Sequence, residues 1–282
     1  MGDPAALGFI GLGSMGAPMA AHLATWPGGL TVLDLRPTAM EPLVEAGAVA
    51  ATSVAEVGER CDIVSVMVLD DGQATEVVDE LLTTMTAGSI VVIHSTIQVT
   101  TAEALAAKAA DSDVLVLDAP VSGSTAGANG GTLAIMIGGD RDAYERCREP
   151  FATMATLVSY MGPIGSGTRT KLARNLITFV TYTAAGEAQR VADAAGIDLR
   201  RLGRIVKHSD AVTGAASSVF LREHAVPFAD DDVLRGPMEH ARTLGEKDLD
   251  LVLELAASLA VDIPLTALAR ERLADELGVP HD

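Results

Sequence analysis

Three glycines open the chemistry of this chain. Gly11, Gly13 and Gly16 stand in the run Gly11-Leu12-Gly13-Ser14-Met15-Gly16, between the short apolar stretch Leu7-Gly8-Phe9-Ile10 and an Ala-rich segment from Ala17 to Thr25. A Gly-x-Gly-x-x-Gly between a strand and a helix suits a diphosphate. The first glycine permits the tight turn, the second lets the pyrophosphate meet bare backbone, and the third lets helix and strand pack closely. The amides and the positive dipole end of the helix then hold the anion. A second apolar run, Leu30-Thr31-Val32-Leu33, ends in Asp34, 21 residues beyond Gly13. That is close to the ~20 expected of a carboxylate that bonds the adenosine ribose. Such a carboxylate accepts from a free 2′-hydroxyl and repels a 2′-phosphate, which favours NAD. Arg36, two residues on, could stack on adenine or pair a phosphate, so NADP stays possible.

Three further stretches carry candidate chemistry. Asp118-Ala119-Pro120-Val121-Ser122-Gly123-Ser124 follows an apolar run and precedes Gly127, Gly130 and Gly131. Small residues at a strand's carboxyl end expose amides that can bind a substrate carboxylate; a flexible connecting loop has the same composition. Gly162-Pro163-Ile164-Gly165-Ser166-Gly167-Thr168-Arg169-Thr170-Lys171 departs from a P-loop, because Lys171 does not follow the last glycine and no Ser or Thr follows it. Helical spacing puts Lys171 and Asn175 on one face, where a lysine is either a solvated charge or a proton-transfer group. Glu246-Lys247-Asp248-Leu249 opens an apolar helical run and reads by itself as the charged first turn of an amphipathic helix.

These residues need rigid elements behind them. Apolar runs at Asp62–Val68, Ser89–His94 and Val114–Leu117 alternate with helical segments at 54–60, 73–83 and 101–110, preceded by a helical stretch at 38–46 and a short strand at 48–50. Leu133–Ile137 and Leu157–Met161 add two strands. The alternation predicts an α/β fold, a Rossmann-type doubly wound, mostly parallel sheet covered on both faces. The pattern changes near Gly165. A helix over Thr168–Ala195, ~40 Å long at 1.5 Å per residue, leads into helices at Leu199–Ser209, near Val219–Glu223, at Met238–Leu259 and at Pro264–Leu277, with a loop over Pro227–Pro237. A smaller all-α domain follows. The expected division is a dinucleotide-binding domain at residues 1–164 and a helical substrate and oligomerisation domain at 165–282.

Composition narrows the partners. A net charge of −18 in 282 residues argues against nucleic acid and against an anionic membrane surface. The uncharged span Pro4–Leu33 is broken by glycines, Pro18, Pro27 and His22 with no basic region before it, so it reads as neither signal peptide nor membrane helix. Cys61 and Cys147 form no CxxC motif, which fits a reducing cytoplasm. The six histidines show no metal-ligand spacing, and no metal site is expected.

The ordered motifs GFIGLGSMGAPMAAHL, DAPVSGS, GSGTRTKLARN and EKDLDL together resemble the β-hydroxyacid dehydrogenase family, 3-hydroxyisobutyrate dehydrogenase-like, over almost the whole chain. The resemblance implies a Rossmann-type domain, an all-helical domain and an active site between them. It places Gly11, Leu12, Gly13, Ser14, Met15 and Gly16 on the dinucleotide loop and Asp34 at the ribose. Met67, Val68 and Leu69 line the cofactor, Thr96 lies near the nicotinamide, and Lys247 reaches the cofactor from the helical domain. Ser122 and Gly123 hold the substrate carboxylate, Lys171 is the catalytic lysine, and Asn175 binds substrate beside it. Lys247 is also the expected like-charge neighbour that lowers the Lys171 pKa. Ser124 stands where the family loop often has a second glycine, and Pro227–Glu246 is less regular than in relatives. The implied reaction is hydride transfer between a small 3-hydroxy acid and NAD in a homodimer or homotetramer. The alternatives are an NADPH-dependent semialdehyde or glyoxylate reductase, a non-catalytic nucleotide-binding relative, and an imine reductase.

Overall fold

The computed structural model describes residues 4–281 and divides into two compact units, up to Arg174 and from Asn175 onward. In the first unit β1 (Leu7–Ile10) leads to α1 (Gly16–Ala21), β2 (Leu30–Leu33), α2 (Glu41–Glu45), β3 (Val49–Ala50), α3 (Val54–Arg60) and β4 (Ile63–Val66). Then come α4 (Asp71–Leu81), β5 (Ile90–Ile93), α5 (Val99–Ala110), β6 (Leu115–Asp118), β7 (Val121–Ser122) and α6 (Ser124–Asn129). The unit closes with β8 (Leu133–Gly138), α7 (Arg141–Phe151), β9 (Ala155–Gly162) and the first part of α8 (Ser166–Ala194).

The sheet runs β3-β2-β1-β4-β5-β6-β8-β7, with β9 on β8. Pairing is parallel except where β8 meets β6 and β7. β1, β4 and β5 are buried on both faces, which explains their unbroken apolar runs. Their side chains alternate between two cores. Phe9, Ile63, Ile90 and Val92 face one, with Met19, Leu23 and Phe151. Ile10, Val64, Val66, Val91 and Ile93 face the other, with Val78, Leu81 and Leu105.

Local chemistry sets the helix starts. Ser53, Asp70 and Asp140 cap α3, α4 and α7 by accepting the amides of Glu56, Gln73 and Ala143. Three elements, α7, β7 and α6, lack a local sequence signal. Arg141–Phe151 is strongly charged and carries Pro150, yet Ala143, Tyr144, Cys147, Pro150 and Phe151 make one buried stripe. β7 and α6 lie within the small-residue stretch from Asp118 to Gly131, where composition alone leaves a carboxylate-binding segment and a connecting loop both open. The helix expected through Thr25 ends at Ala21, and the one expected over 38–46 is a 3-10 turn, Pro37–Ala39, followed by α2.

The second unit contains the rest of α8, then α9 (Leu199–Thr213), α10 (Arg235–Ser258) and α11 (Pro264–Leu277). In place of the helix expected near Val219–Glu223 there is a 3-10 turn at Ala215–Val219. Val191, Ala256 and Ile263 form a small core supported by Val252, Leu253, Leu259 and Val261. Glu187 on α8 is buried and accepts both the Leu265 and Thr266 amides at 2.9 Å, capping α11. These amides and the Thr266 hydroxyl, with Arg190 nearby, hold the Glu187 pKa below the usual carboxylate value against the cost of burial. No described helix is long and apolar enough to cross a membrane.

Candidate active site

The carboxyl ends of β2, β1, β4, β5 and β6 are level, because Ile10 pairs with both Leu33 and Val66, Val66 with Ile93, and Ile93 with Asp118. The residues that follow these ends therefore stand in a row: Asp34, Gly11, Met67, His94 and Ala119. Strand order reverses between β1 and β4, which is where open α/β sheets bind ligands.

Each loop glycine has a distinct physical duty. Gly11 adopts φ +93°, and a Cβ there would collide with the Met67 carbonyl. A Cβ on Gly16 would strike the Gly11 carbonyl, so α1 lies directly on the turn. Gly13 is exposed and faces open space, a bare edge of backbone beside a helix start that no side chain caps. Leu12 is buried and contributes only its backbone. Ser14 is exposed and Met15 half-buried at the rim. These residues fit a dinucleotide diphosphate.

Asp34 is tied to the same loop. Its Oδ2 accepts the Leu12 amide at 2.7 Å, and its Oδ1 accepts the Arg36 amide at 2.9 Å and guanidinium at 3.1 Å. Burial opposes the charge, but the Arg36 and Leu12 hydrogen bonds outweigh it and keep the pKa below the usual carboxylate value. Oδ2 retains capacity for a ribose hydroxyl. Arg36 spans back to the Leu12 carbonyl at 3.3 Å, and its side chain is 66% exposed.

Past β4, Met67 and Val68 are half-buried and Leu69 is exposed. The Ser95 hydroxyl accepts the Val68 amide and donates to the Val68 carbonyl, each at 2.8 Å, which fixes this rim beside exposed Thr96. His94, fully buried, links Ser65 at 3.1 Å to the Ala119 carbonyl at 2.8 Å. Burial pushes its pKa down to about 4, so the ring is neutral. Nothing in the sequence beyond position after a strand singles out Ser95 or His94.

The Lys171 ammonium donates to the Val121 carbonyl, next to half-buried Ser122 and to Gly123 at φ +141°. Burial lowers its pKa, and Arg174, three residues along α8, lowers it further. Within this unit the like charge on Lys171 is Arg174. Arg169 pairs with Glu103 at 2.7 Å. Ser124 sits at φ +58°, a left-handed conformation that suits the glycine often found in relatives.

So the first unit brings together Gly11–Gly16, Asp34, Met67 and Val68 at one rim, and Ser122, Gly123 and Lys171 at another place. Asn175, half-buried on the next turn of α8, and Lys247 belong to the second unit. Lys247 lies midway along α10, exposed, with its ammonium 3.2 Å from Asp248. Among the described residues no His, Cys, Asp and Glu cluster suits a metal ion.

Residues 6–162 match the NAD-binding domain of 6-phosphogluconate dehydrogenase, and residues 165–277 match the NAD-binding domain described for NADP-dependent 3-hydroxyisobutyrate dehydrogenase. An uncharacterized oxidoreductase of Mycobacterium tuberculosis is 52% identical over 278 residues, 98% of this chain and 94% of that one. The NAD-dependent L-serine dehydrogenase of Pseudomonas aeruginosa is 36% identical over 93% of this chain and 89% of its own length. The crystal structure of a putative oxidoreductase from Mycobacterium avium superposes with a TM-score of 0.95 at 50% identity, covering 98% of this chain and 100% of that one.

Proposed function

The chain belongs to the β-hydroxyacid dehydrogenase family of NAD(P)-dependent oxidoreductases, and from that premise we propose that it oxidises a small 3-hydroxy acid of the 3-hydroxyisobutyrate type with NAD. The observation that carries this reading is Lys171, half-buried, of lowered pKa, and anchored on the Val121 carbonyl beside Ser122-Gly123.

When bound, the dinucleotide supplies the hydride acceptor for oxidation, or the donor for reduction. The amides of Gly11 through Gly16 would hold its diphosphate and Asp34 its ribose, with Met67, Val68, Leu69 and Thr96 and, as the family resemblance implies, Lys247 as its remaining contacts. Ser122 and Gly123 anchor the substrate carboxylate, and Asn175 orients the hydroxyl. Neutral Lys171 keeps one N–H on Val121 and offers its lone pair to the substrate hydroxyl. As the C–H hydride leaves and the C=O forms, the O–H proton passes to Nζ; reduction reverses these transfers. Residues 1–164 then serve as the dinucleotide-binding domain and residues 165–282 as the substrate and oligomerisation domain.

A second reading has its own observation. Arg36 is exposed beside Asp34, the proposed ribose carboxylate, and could pair a 2′-phosphate, which suits an NADPH-dependent semialdehyde or glyoxylate reductase. Initial rates decide between them. The panel pairs NAD and NADP with 3-hydroxyisobutyrate, 3-hydroxypropionate, serine and glycerate, and the reduced cofactors with glyoxylate and semialdehydes. Oxidation of one 3-hydroxy acid with NAD is the expected result. Activity confined to NADPH and an aldehyde would replace the first reading with the second.

A homodimer or homotetramer is also proposed, because α9 has no buried residue although Ile205, Val206 and Val212 line it. Free, buried Cys61 and Cys147 support placement in the reducing cytoplasm.

A further inference from the structure

Asp118, at the end of β6, is fully buried and takes no part in the proton transfer described above. Its Oδ1 accepts the Gly165 amide at 2.8 Å and its Oδ2 the Thr168 amide at 2.6 Å. Gly165 immediately precedes α8 and Thr168 is its third residue, so both amides belong to the set that a helix start leaves without internal partners. The residue before a helix usually satisfies them with its own side chain. Gly165 has none, and its φ of +86° disfavours one. A carboxylate 47 residues earlier in the chain does the work from the sheet.

The space around that carboxylate is cut to fit. A Cβ on Gly138 would collide with Asp118 Oδ1 and lie 2.8 Å from the Gly167 nitrogen. A Cβ on Gly167 would collide with the Met136 and Asp118 carbonyls. Strand ends and helix start can close on the carboxylate only because both positions lack side chains.

The same short segment then meets α8 again. Three residues past Asp118, the Val121 carbonyl accepts from Lys171, which is three residues past Thr168. The result is a closed ring: carboxylate to helix start, helix to Lys171, Lys171 to Val121, and backbone to Asp118. His94 holds the backbone between, at the Ala119 carbonyl.

We propose that Asp118 is the positioning residue for Lys171, setting the advance and rotation of α8 and so the place of Nζ against Val121 and the Ser122-Gly123 amides. This rests on the reading of Lys171 as the proton-transfer group. Acid/base groups work only within about 0.5 Å of the productive geometry, and α8 rises 1.5 Å per residue. A start that frays or slips by one residue takes Nζ out of reach.

The test is a double-mutant cycle on the full-length protein. Asp118→Asn keeps the shape but turns an N–H of its own toward a backbone N–H. Thr168→Pro is the second variant; proline is tolerated in a first helical turn and lacks the captured N–H. Each is measured with Lys171 present and in the Lys171→Ala background, at enzyme concentrations that resolve the residual rate. Whichever variant folds should lose at least tenfold in kcat with Lys171 present and less than twofold in its absence. Dinucleotide Kd should stay within twofold of wild type. Equal losses in both backgrounds would make Asp118 a merely structural residue and overturn the proposal, as would wild-type kcat in either variant. Wild-type kcat in Lys171→Ala alone would instead overturn the lysine reading, and this inference with it.

Discussion

At the scale of single residues, the proposed chemistry rests on two side chains, Lys171 and Asp34. Lys171 must be neutral to accept a proton, and burial together with Arg174 moves its pKa down from the ordinary 10.5. A lower pKa leaves more neutral amine near neutral pH, so oxidation should rise with pH along a limb that levels below the ordinary lysine range. Arg174→Gln removes the like charge and should move that limb to higher pH; a limb that stays put would clear Arg174 of the role. Lys171→Ala should lower kcat by about 10²–10⁴, the usual worth of a general acid/base, with dinucleotide Kd near wild type. Retention of a tenth of kcat would mean that another group moves the proton. In the proposed reading Asp34 sets the choice of cofactor. Asp34→Ser removes the repulsion toward a 2′-phosphate and takes away the carboxylate partner of Arg36, so the kcat/KM ratio of NADP to NAD should rise about tenfold or more. An unchanged ratio would move the discrimination elsewhere.

At the scale of elements, the site depends on loops held between strand ends. His94 joins the ends of β4, β5 and β6 through Ser65 and Ala119, stacks near Phe9 and meets Phe151 edge-on. Its folded pKa of about 4 lies below its ordinary 6.5. The unfolded chain therefore binds the extra proton between those values. The stability that this neutral ring contributes is fully present above pH 6.5 and is lost as pH falls toward 4. The loss should reach about 3 kcal/mol. Denaturant titrations across that interval should show it, and His94→Gln should flatten the slope; equal slopes would assign the acid sensitivity to other groups. Some of this framework is legible from residue order. The Gly11–Gly16 run, Asp34 and the strand cores follow from local spacing, because a strand buried on both faces must be apolar throughout. The α7 helix was not legible, because its charged residues hide a stripe whose partners lie on β6 and β9. Ser95, His94 and Asp118 were not legible as clamps, since each bonds a residue 25 or more positions away.

At the scale of the whole molecule, the second unit buries little. Its core centres on Val191, Ala256 and Ile263, while Phe179 and Tyr182 on α8 are 61% and 66% exposed and Val212 on α9 is 74% exposed. Each such side chain is worth about 1.5–3 kcal/mol when covered, so a second copy of the chain has a large apolar surface to gain. Light scattering at micromolar concentration should report a dimer or larger species. Ile205→Glu combined with Val212→Glu should lower the mass and the unfolding midpoint. A wild-type monomer under those conditions would end the oligomer reading.

Residue order by itself determined the class of fold, the dinucleotide loop and the presence of a lysine and an asparagine one helical turn apart. Those features are local: they depend on glycine conformations, periodicity and the distance along a helix. Tertiary structure alone decided what surrounds them. It set Arg174 as a like charge on Lys171, tied Arg36 to Asp34 and the Leu12 carbonyl, and used Asp118 to cap a helix that its own glycine cannot. Hydrogen bonds and desolvation depend on which distant segments fold against each other, and spacing along the chain carries no record of that.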